Sequence, residues 1–327
     1  MKKNFLLNIL FCFCLIGIYG CRPDLTCSIE CQTESYPGEE LEGNINVILE
    51  NRGNRAANDF FVDLVLSTDT TIPVDFAIHS PNFTEDVLLE GGREHVDSLG
   101  PGASLNLTLN GIDKIPDDTP LGNYYLGVVV DSGKTVSESN EVNNTAVCNT
   151  KILAHISRMR QQQLGTPYAE LDIYGIGFSD TIGTKIVRLG THTLSLIDAD
   201  DPDSWNPTSI YVSVPGGLPY GKEYEVFLMD GGQVISNRFN FLLLMWPEAV
   251  IPEQGPPGEQ IRIEGLCMGE TQGTKILKLG PHIINNILEW SNFLIRAEIP
   301  SVPAGTYDIY IEEGGTRISM KQSFKVL

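Results

Sequence analysis

The sequence predicts an all-β protein built of tandem β-sandwiches, and three observations carry that prediction. From residue 22 onward, short segments such as "GNINVILENRG", "FFVDLVLSTD" and "ASLNLTLNG" alternate polar and apolar residues, the period of a half-buried strand. Glycine, proline and asparagine punctuate these segments, and no stretch has the 3.6-residue apolar period of a long amphipathic helix. The second half repeats itself, with "GTKIVRLG" at 183–190 returning as "GTKILKLG" at 273–280, a period of 90. A chain of 327 residues with 42% hydrophobic content has the length for two or three domains and the material to fill their cores.

The first 21 residues, "MKKNFLLNILFCFCLIGIYGC", have the layout of a secretory signal. Lys2 and Lys3 supply the positive start, Phe5 to Ile18 the apolar core, and Gly20-Cys21 the close. The apolar run is short for a span of about 20 residues. Ile18-Tyr19-Gly20-Cys21 resembles a bacterial lipobox, in which the cysteine is lipidated and becomes the new N-terminus. That resemblance implies a signal peptide over 1–20, lipidation at Cys21, and a body tethered to the membrane by acyl chains. Cleavage without lipid and an uncleaved anchor are the competing readings. The expected location is the exported cell envelope of a bacterium, lipid-anchored at the outer membrane or cell surface.

Loss of Lys2 and Lys3 with the signal leaves 20 basic against 42 acidic residues, a net charge of −22. Such a body repels phosphate backbones, which excludes nucleic acid as a partner, and it repels anionic headgroups. The membrane link therefore falls to the lipid. Four cysteines remain beyond Cys21: Cys27, Cys31, Cys148 and Cys267. Export permits disulfides. In "LTCSIECQT", read as a strand, Cys27 and Cys31 stand about 13 Å apart, too far to bridge each other. One of the two can staple to Cys148 if the first and last strands of that domain are neighbours; buried free thiols are the alternative. The spacing is no zinc knuckle.

In "YYLGVVVD", Tyr124, Leu126, Val128 and Val130 share a face, and Leu105, Leu107 and Leu109 share one in the preceding segment. The segments "RPDLTCSIE", "SYPGEELEGNINVILENRGNRAA", "VLSTDTTIP", "LGPGASLNLTL" and "LGNYYLGVVVDSGKTVSESNEVNNT" together resemble CARDB, the cell-adhesion-related domain found in bacteria. The resemblance implies an immunoglobulin-like sandwich over residues 22–153. Its closing part is the most specific, with Gly122, Tyr124, Val129-Val130-Asp131, Glu138, Glu141 and Asn143-Asn144 in the family's order. Residues 70–98 depart from the compact form by a longer polar excursion.

The repeat extends well beyond its octapeptide. Gly175 has its partner in Gly265; Trp205 and Trp290 each precede a proline, Pro215 or Pro300, by ten residues. Each copy ends in an acidic-Gly-Gly turn and an aromatic strand with Phe241 or Phe324. Copies of 80–90 residues suit immunoglobulin-like sandwiches, over 154–244 and 245–327. Both are similar to the IPT/TIG family in the early G-x-G-F hairpin, the tryptophan-led strand and the closing turn. The second copy has Cys267 and Met268 where the first has Gly177 and Phe178, so a different turn is expected there. The joints "KILAHISRM" and "FLLLMWPEAVIPEQGPPG" are not Gly/Ser tethers, and three sandwiches in an elongated array are the expected arrangement.

Candidate sites are few. Asp69 and Asp75 in one loop, with Asp131, Glu138, Asn140 and Glu141 in the closing tract, offer hard oxygen ligands for calcium if the loops meet at one pole. Turn capping by Asp and Asn is the competing and favoured reading. Trp246 belongs to neither copy's pattern and is the candidate for stacking on a sugar, whereas Trp205 and Trp290 read as packing. His192 and His282 are repeat-equivalent turn residues in separate modules and do not form a metal pair. No nucleophile elbow, P-loop or H-E-x-x-H motif is present, and no cofactor other than calcium is suggested. The expectation is a non-enzymatic surface protein for adhesion or recognition of a polysaccharide or envelope protein. The alternatives are a structural stalk of an envelope assembly and an accessory partner of an exported hydrolase.

Overall fold

A computed structural model of the chain describes residues 21–73, 86–107, 114–162, 169–198, 201–216 and 218–327. Their regular secondary structure is strand, apart from one 3-10 turn at Pro202–Ser204. No helix among them is long and apolar enough to cross a membrane. The chain divides into two units: one runs to Thr119 and includes Asn123–Lys151, and the other comprises Pro120–Gly122 with Ile152–Leu327.

Among the described residues, the first unit holds two sheets. Leu25–Cys31, Ile45–Asn51 and Ser104–Asn106 form a three-stranded antiparallel sheet. Glu34–Ser35, Thr145–Ile152, Gly122–Val130, Ala57–Ser67 and Asp86–Leu99 lie side by side in a five-stranded one. Tyr124, Leu126, Val128 and Val130 are all buried, and Leu126, Val128 and Val130 lie opposite Leu66, Leu64 and Val62 of the neighbouring strand. The other face is covered as well. Val65 and Val129 pack with Ile72 and Val147 in a small second cluster, and a side chain at Gly127 would collide with Ile72. These central strands therefore read as continuous apolar runs rather than clean alternations. Leu105 behaves differently: it lies on a three-residue edge strand and is 36% exposed, so the face shared by Leu105 and Leu107 is only partly covered. Leu109 lies outside the described residues.

Both repeat copies lie in the second unit, each around its own core. The first core is built on Leu171, Ile173, Val187, Leu189, Val226 and Leu228, and the second on Ile261, Ile263, Leu277, Leu279, Ile309 and Ile311. Equivalent residues do equivalent work. Side chains at Gly175 and Gly265 would strike the backbones of His155 and Trp246 in the adjacent strands. Trp205 Nε1 donates to Phe178 O (3.0 Å) and Trp290 Nε1 to Met268 O (3.1 Å). The Tyr224 hydroxyl donates to Pro219 O and the Tyr307 hydroxyl to Pro303 O, each at 2.9 Å. Buried Ser236 and Ser319 each accept from a strand N–H and donate to the next residue's carbonyl.

Among the described residues, the copies differ in how their sheets connect. In the first, His192–Leu196 pairs with both Ile186–Leu189 and Ser209–Ser213, joining the two sheets. In the second, the equivalent strand is cut to His282–Ile283 and pairs only with Ile276–Leu279. The turn at Cys267-Met268 contradicts the expected difference. Cys267 has φ +60° where Gly177 has +75°, and Gly269 has +90° where Ser179 has +68°. Met268 is as buried as Phe178, so burial of that side chain holds a non-glycine residue in the left-handed region.

Candidate functional site

The closing tract of the first unit is a set of interlocked turns. The Asp131 carboxylate accepts from Thr135 N (2.9 Å), Thr135 Oγ1 (3.0 Å) and Val136 N (2.9 Å), and Asp131 itself sits at φ +51°. Glu138 is buried. Its carboxylate accepts from the backbone N–H of Leu25 and from Asn144 Nδ2 (2.5 Å). Removal from water pushes the Glu138 carboxyl up to about 7, although both hydrogen bonds favour the ionised form. Glu141 accepts from Glu138 N, Asn140 from Val142 N, and Asp69 from Thr71 N. Apart from Glu138, which reaches Leu25 and Asn144, these side chains cap the turns in which they sit, as short polar side chains favour. Asp75 lies outside the described residues. Among the described residues, no group of three or more His, Cys, Asp or Glu side chains is placed to hold a metal ion.

The cysteines separate cleanly. Cys31 and Cys148 are joined by a disulfide with Cα atoms 6.1 Å apart, closing a sequence separation of 117. Cys27, four residues earlier, is a free thiol directed at the carbonyls of Val128 and Asn144, and burial pushes it up to about 12. It is not poised to react. Cys21 is exposed.

The second unit contains what the sequence did not announce: an open groove of about 620 Å³ where the two repeat copies meet. Its walls come from Leu218, Pro219 and Tyr220 of the first copy and from Cys267, Gly269, Glu270, Lys275, Asn292 and Phe293 of the second, with Glu313 at the edge. Tyr220 packs against both cores, and its hydroxyl meets the Cys267 thiol. A side chain at Gly221 would collide with Ile318, so the copies approach closely here. Met245 extends the joint as a backbone ladder, donating to Ile318 O (2.8 Å) and accepting from Met320 N (2.9 Å). Phe293 is 51% exposed at the groove. Trp246 is partly buried on the Trp246–Ile251 strand and does not line the groove. His192 and His282 begin equivalent short strands in their own copies.

Residues 22–147 match the CARDB family model, the stretch whose residues carry that resemblance. A cyclomaltodextrin glucanotransferase of Bacillus sp. (strain 17-1) is 28% identical over 131 residues, 37% of this chain and 18% of that protein. This chain thus spans under a fifth of that relative's length. Among solved structures, the CARDB domain of a Pyrococcus furiosus protein, in complex with di-metal ions, is 24% identical. It covers 41% of this chain and 96% of that one, with a TM-score of 0.29. SGBP-B of the Bacteroides ovatus mixed-linkage glucan utilization locus, in complex with a mixed-linkage heptasaccharide, is 11% identical. It covers 91% of this chain and 67% of that one, with a TM-score of 0.30.

Proposed function

We propose that this chain is a non-enzymatic recognition protein of the bacterial cell envelope, anchored by lipid at Cys21. Its ligand is an extracellular polysaccharide or another envelope component, met by exposed surfaces of its β-modules. In this reading residues 1–20 are a lipoprotein signal peptide and residues 154–327 are two IPT/TIG-type modules following the CARDB-like one. The observation that carries the reading is the groove in the second unit, where Phe293 stays half exposed beside polar groups while the acidic tract of the first unit is tied into turns. An open, preformed concavity with convergent polar groups is a binding feature. The 131 residues shared with a cyclomaltodextrin glucanotransferase are in keeping with a polysaccharide setting.

The test pairs location with binding. The wild-type chain is expected in the membrane fraction after a carbonate wash and Cys21→Ala in the soluble fraction. The mature protein is expected to be retarded in native gels containing at least one polysaccharide, or to retain an envelope protein in a pull-down. A Cys21→Ala chain that stays with membranes overturns the anchor, and a mature protein inert in both binding assays overturns recognition.

A further inference from the structure

The groove residues fall into two sets when the repeat copies are laid over each other. Lys275, Glu270 and Glu313 have counterparts in Lys185, Asp180 and Asp230, and the Thr274–Glu313 hydrogen bond repeats the Thr184–Asp230 one. These belong to the module. Three others depart from it. Phe293, three residues after Trp290, stands where the first copy has Thr208; Tyr220 stands where the second has Ala304; Cys267 stands where the first has Gly177. Phe293, Tyr220 and Cys267 have thus been added where the copies diverge, and all three line one concavity.

We propose that this groove binds a neutral glycan chain, with Phe293 as the stacking platform and Glu270, Asn292, Glu313 and Lys275 as hydroxyl partners. This rests on the recognition reading above and names its ligand class. A sugar ring offers an apolar C–H face and a rim of hydroxyls that both donate and accept. The groove offers the complement. Phe293 presents an exposed ring whose backbone is fixed by Gly265 N donating to Phe293 O (3.1 Å) and by Phe293 N donating to Ser291 Oγ (3.3 Å). Asn292 uses Oδ1 to accept from Gly269 N (3.2 Å), which leaves its amide protons for a ligand. Lys275 spends two donors on Thr271 O and Gln272 O and keeps one. Glu270 and Glu313 supply acceptors. A volume of about 620 Å³ lies within the roughly 300–1,000 Å³ of small-ligand sites.

Charge selects the class of glycan. Two carboxylates and one ammonium line the edge, on a chain of net charge −20, so a uronate or sulfated polymer is repelled. The contact of Gly221 on Ile318 and the Met245 ladder hold the two walls together before a ligand arrives, which reduces the ordering cost of binding.

The experiment is affinity electrophoresis of the mature protein in gels containing neutral polysaccharides with glucose, mannose or xylose backbones, with polygalacturonate as the anionic control. Phe293→Ala and Glu270→Gln both change exposed side chains, and melting curves check that they fold. The expected result is retardation by a neutral polymer, with affinity about tenfold weaker in Phe293→Ala, several-fold weaker in Glu270→Gln, and unchanged in Trp246→Ala. Wild-type retardation that survives both groove substitutions overturns the groove and leaves recognition standing. Retardation by polygalacturonate alone overturns the neutral class. Absence of retardation in every gel overturns the glycan proposal; recognition then falls too unless an envelope protein is retained in the pull-down. Concentration-dependent self-association abolished by Phe293→Ala would make the groove a dimer contact and overturn the proposal.

Discussion

Glu138 and Leu25 are 113 positions apart, yet the Glu138 carboxylate accepts the backbone N–H of Leu25 and so pins the first strand of the chain to its closing tract. Leu25 is four residues beyond Cys21, so this bond fixes the body immediately after the expected point of anchorage. Asn144 braces the same carboxylate and also donates to Val130 O (3.3 Å).

That bond makes a pH prediction. The Glu138 carboxyl is raised from 4.5 to about 7 in the folded chain. Below pH 4.5 it is protonated in both states and its contribution is fully present. As pH rises from 4.5 toward 7 the unfolded chain releases the proton first, so stability falls across this window and levels off above it. The difference in urea midpoint between wild type and Glu138→Gln is expected to shift in favour of the variant from pH 5 to pH 8. A difference independent of pH contradicts the assignment.

Asn144→Ala removes one hydrogen bond from a buried carboxylate. The expected loss is about 1–3 kcal/mol, larger at pH 8 than at pH 5 because the ionised form needs the donor. Denaturant titrations at the two pH values measure it. An equal loss at both would mean that Asn144 acts through Val130 alone.

Asp63 is fully buried and accepts two hydrogen bonds from Arg93, at 2.7 and 2.6 Å, across paired strands. Arg93→Ala leaves that carboxylate unpaired, at an expected cost of about 3 kcal/mol. The double variant Asp63→Asn/Arg93→Ala is expected to recover part of the loss. No recovery would show that Arg93 matters through its packing over Phe61 instead.

Reduction of Cys31–Cys148 is expected to lower stability by about 2–4 kcal/mol, given the long loop it closes. Cys27, buried and directed at carbonyls, is expected to stay unreactive to thiol reagents until unfolding. Peptide mapping after alkylation distinguishes the three sites. Fast labelling of Cys27 in the native chain would contradict its placement.

What was legible in the sequence is what local periodicity and repetition encode. The fold class follows from alternation and turn residues, and the role of Trp205 and Trp290 follows from their recurrence at one spacing. A cysteine near the first strand could be paired with Cys148, but Cys27 and Cys31 share a face of that strand, so choosing Cys31 required the position along the strand at which Cys148 lies opposite. The Asp63–Arg93 pair depends on register, and Ile72 covering Gly127 depends on a loop folding back. The groove was hidden for a related reason. Its walls join Leu218–Tyr220 to residues about 50–95 positions later, and its aromatic platform, Phe293, is a residue that breaks the repeat. The repeat drew attention to shared positions such as His192 and His282, whereas the signal lay in Tyr220, Cys267 and Phe293, where the copies disagree.

The joint between the copies gives a mechanical prediction. Gly221 lies at φ +74° against Ile318, so Gly221→Ala both strains the backbone and separates the groove walls. The expected cost is about 1–3 kcal/mol, with weaker glycan retardation. A variant as stable as wild type would show that the copies do not meet as described.

The central claim is that recognition occurs in the groove between the repeat copies. It is tested most directly by a crystal structure of the mature protein soaked with an oligosaccharide of whichever neutral polymer retards it. A sugar ring stacked on Phe293, with hydroxyls bonded to Asn292 and Glu270, is the predicted result. A sugar bound on the first unit or against Trp246, with the groove empty, would contradict it.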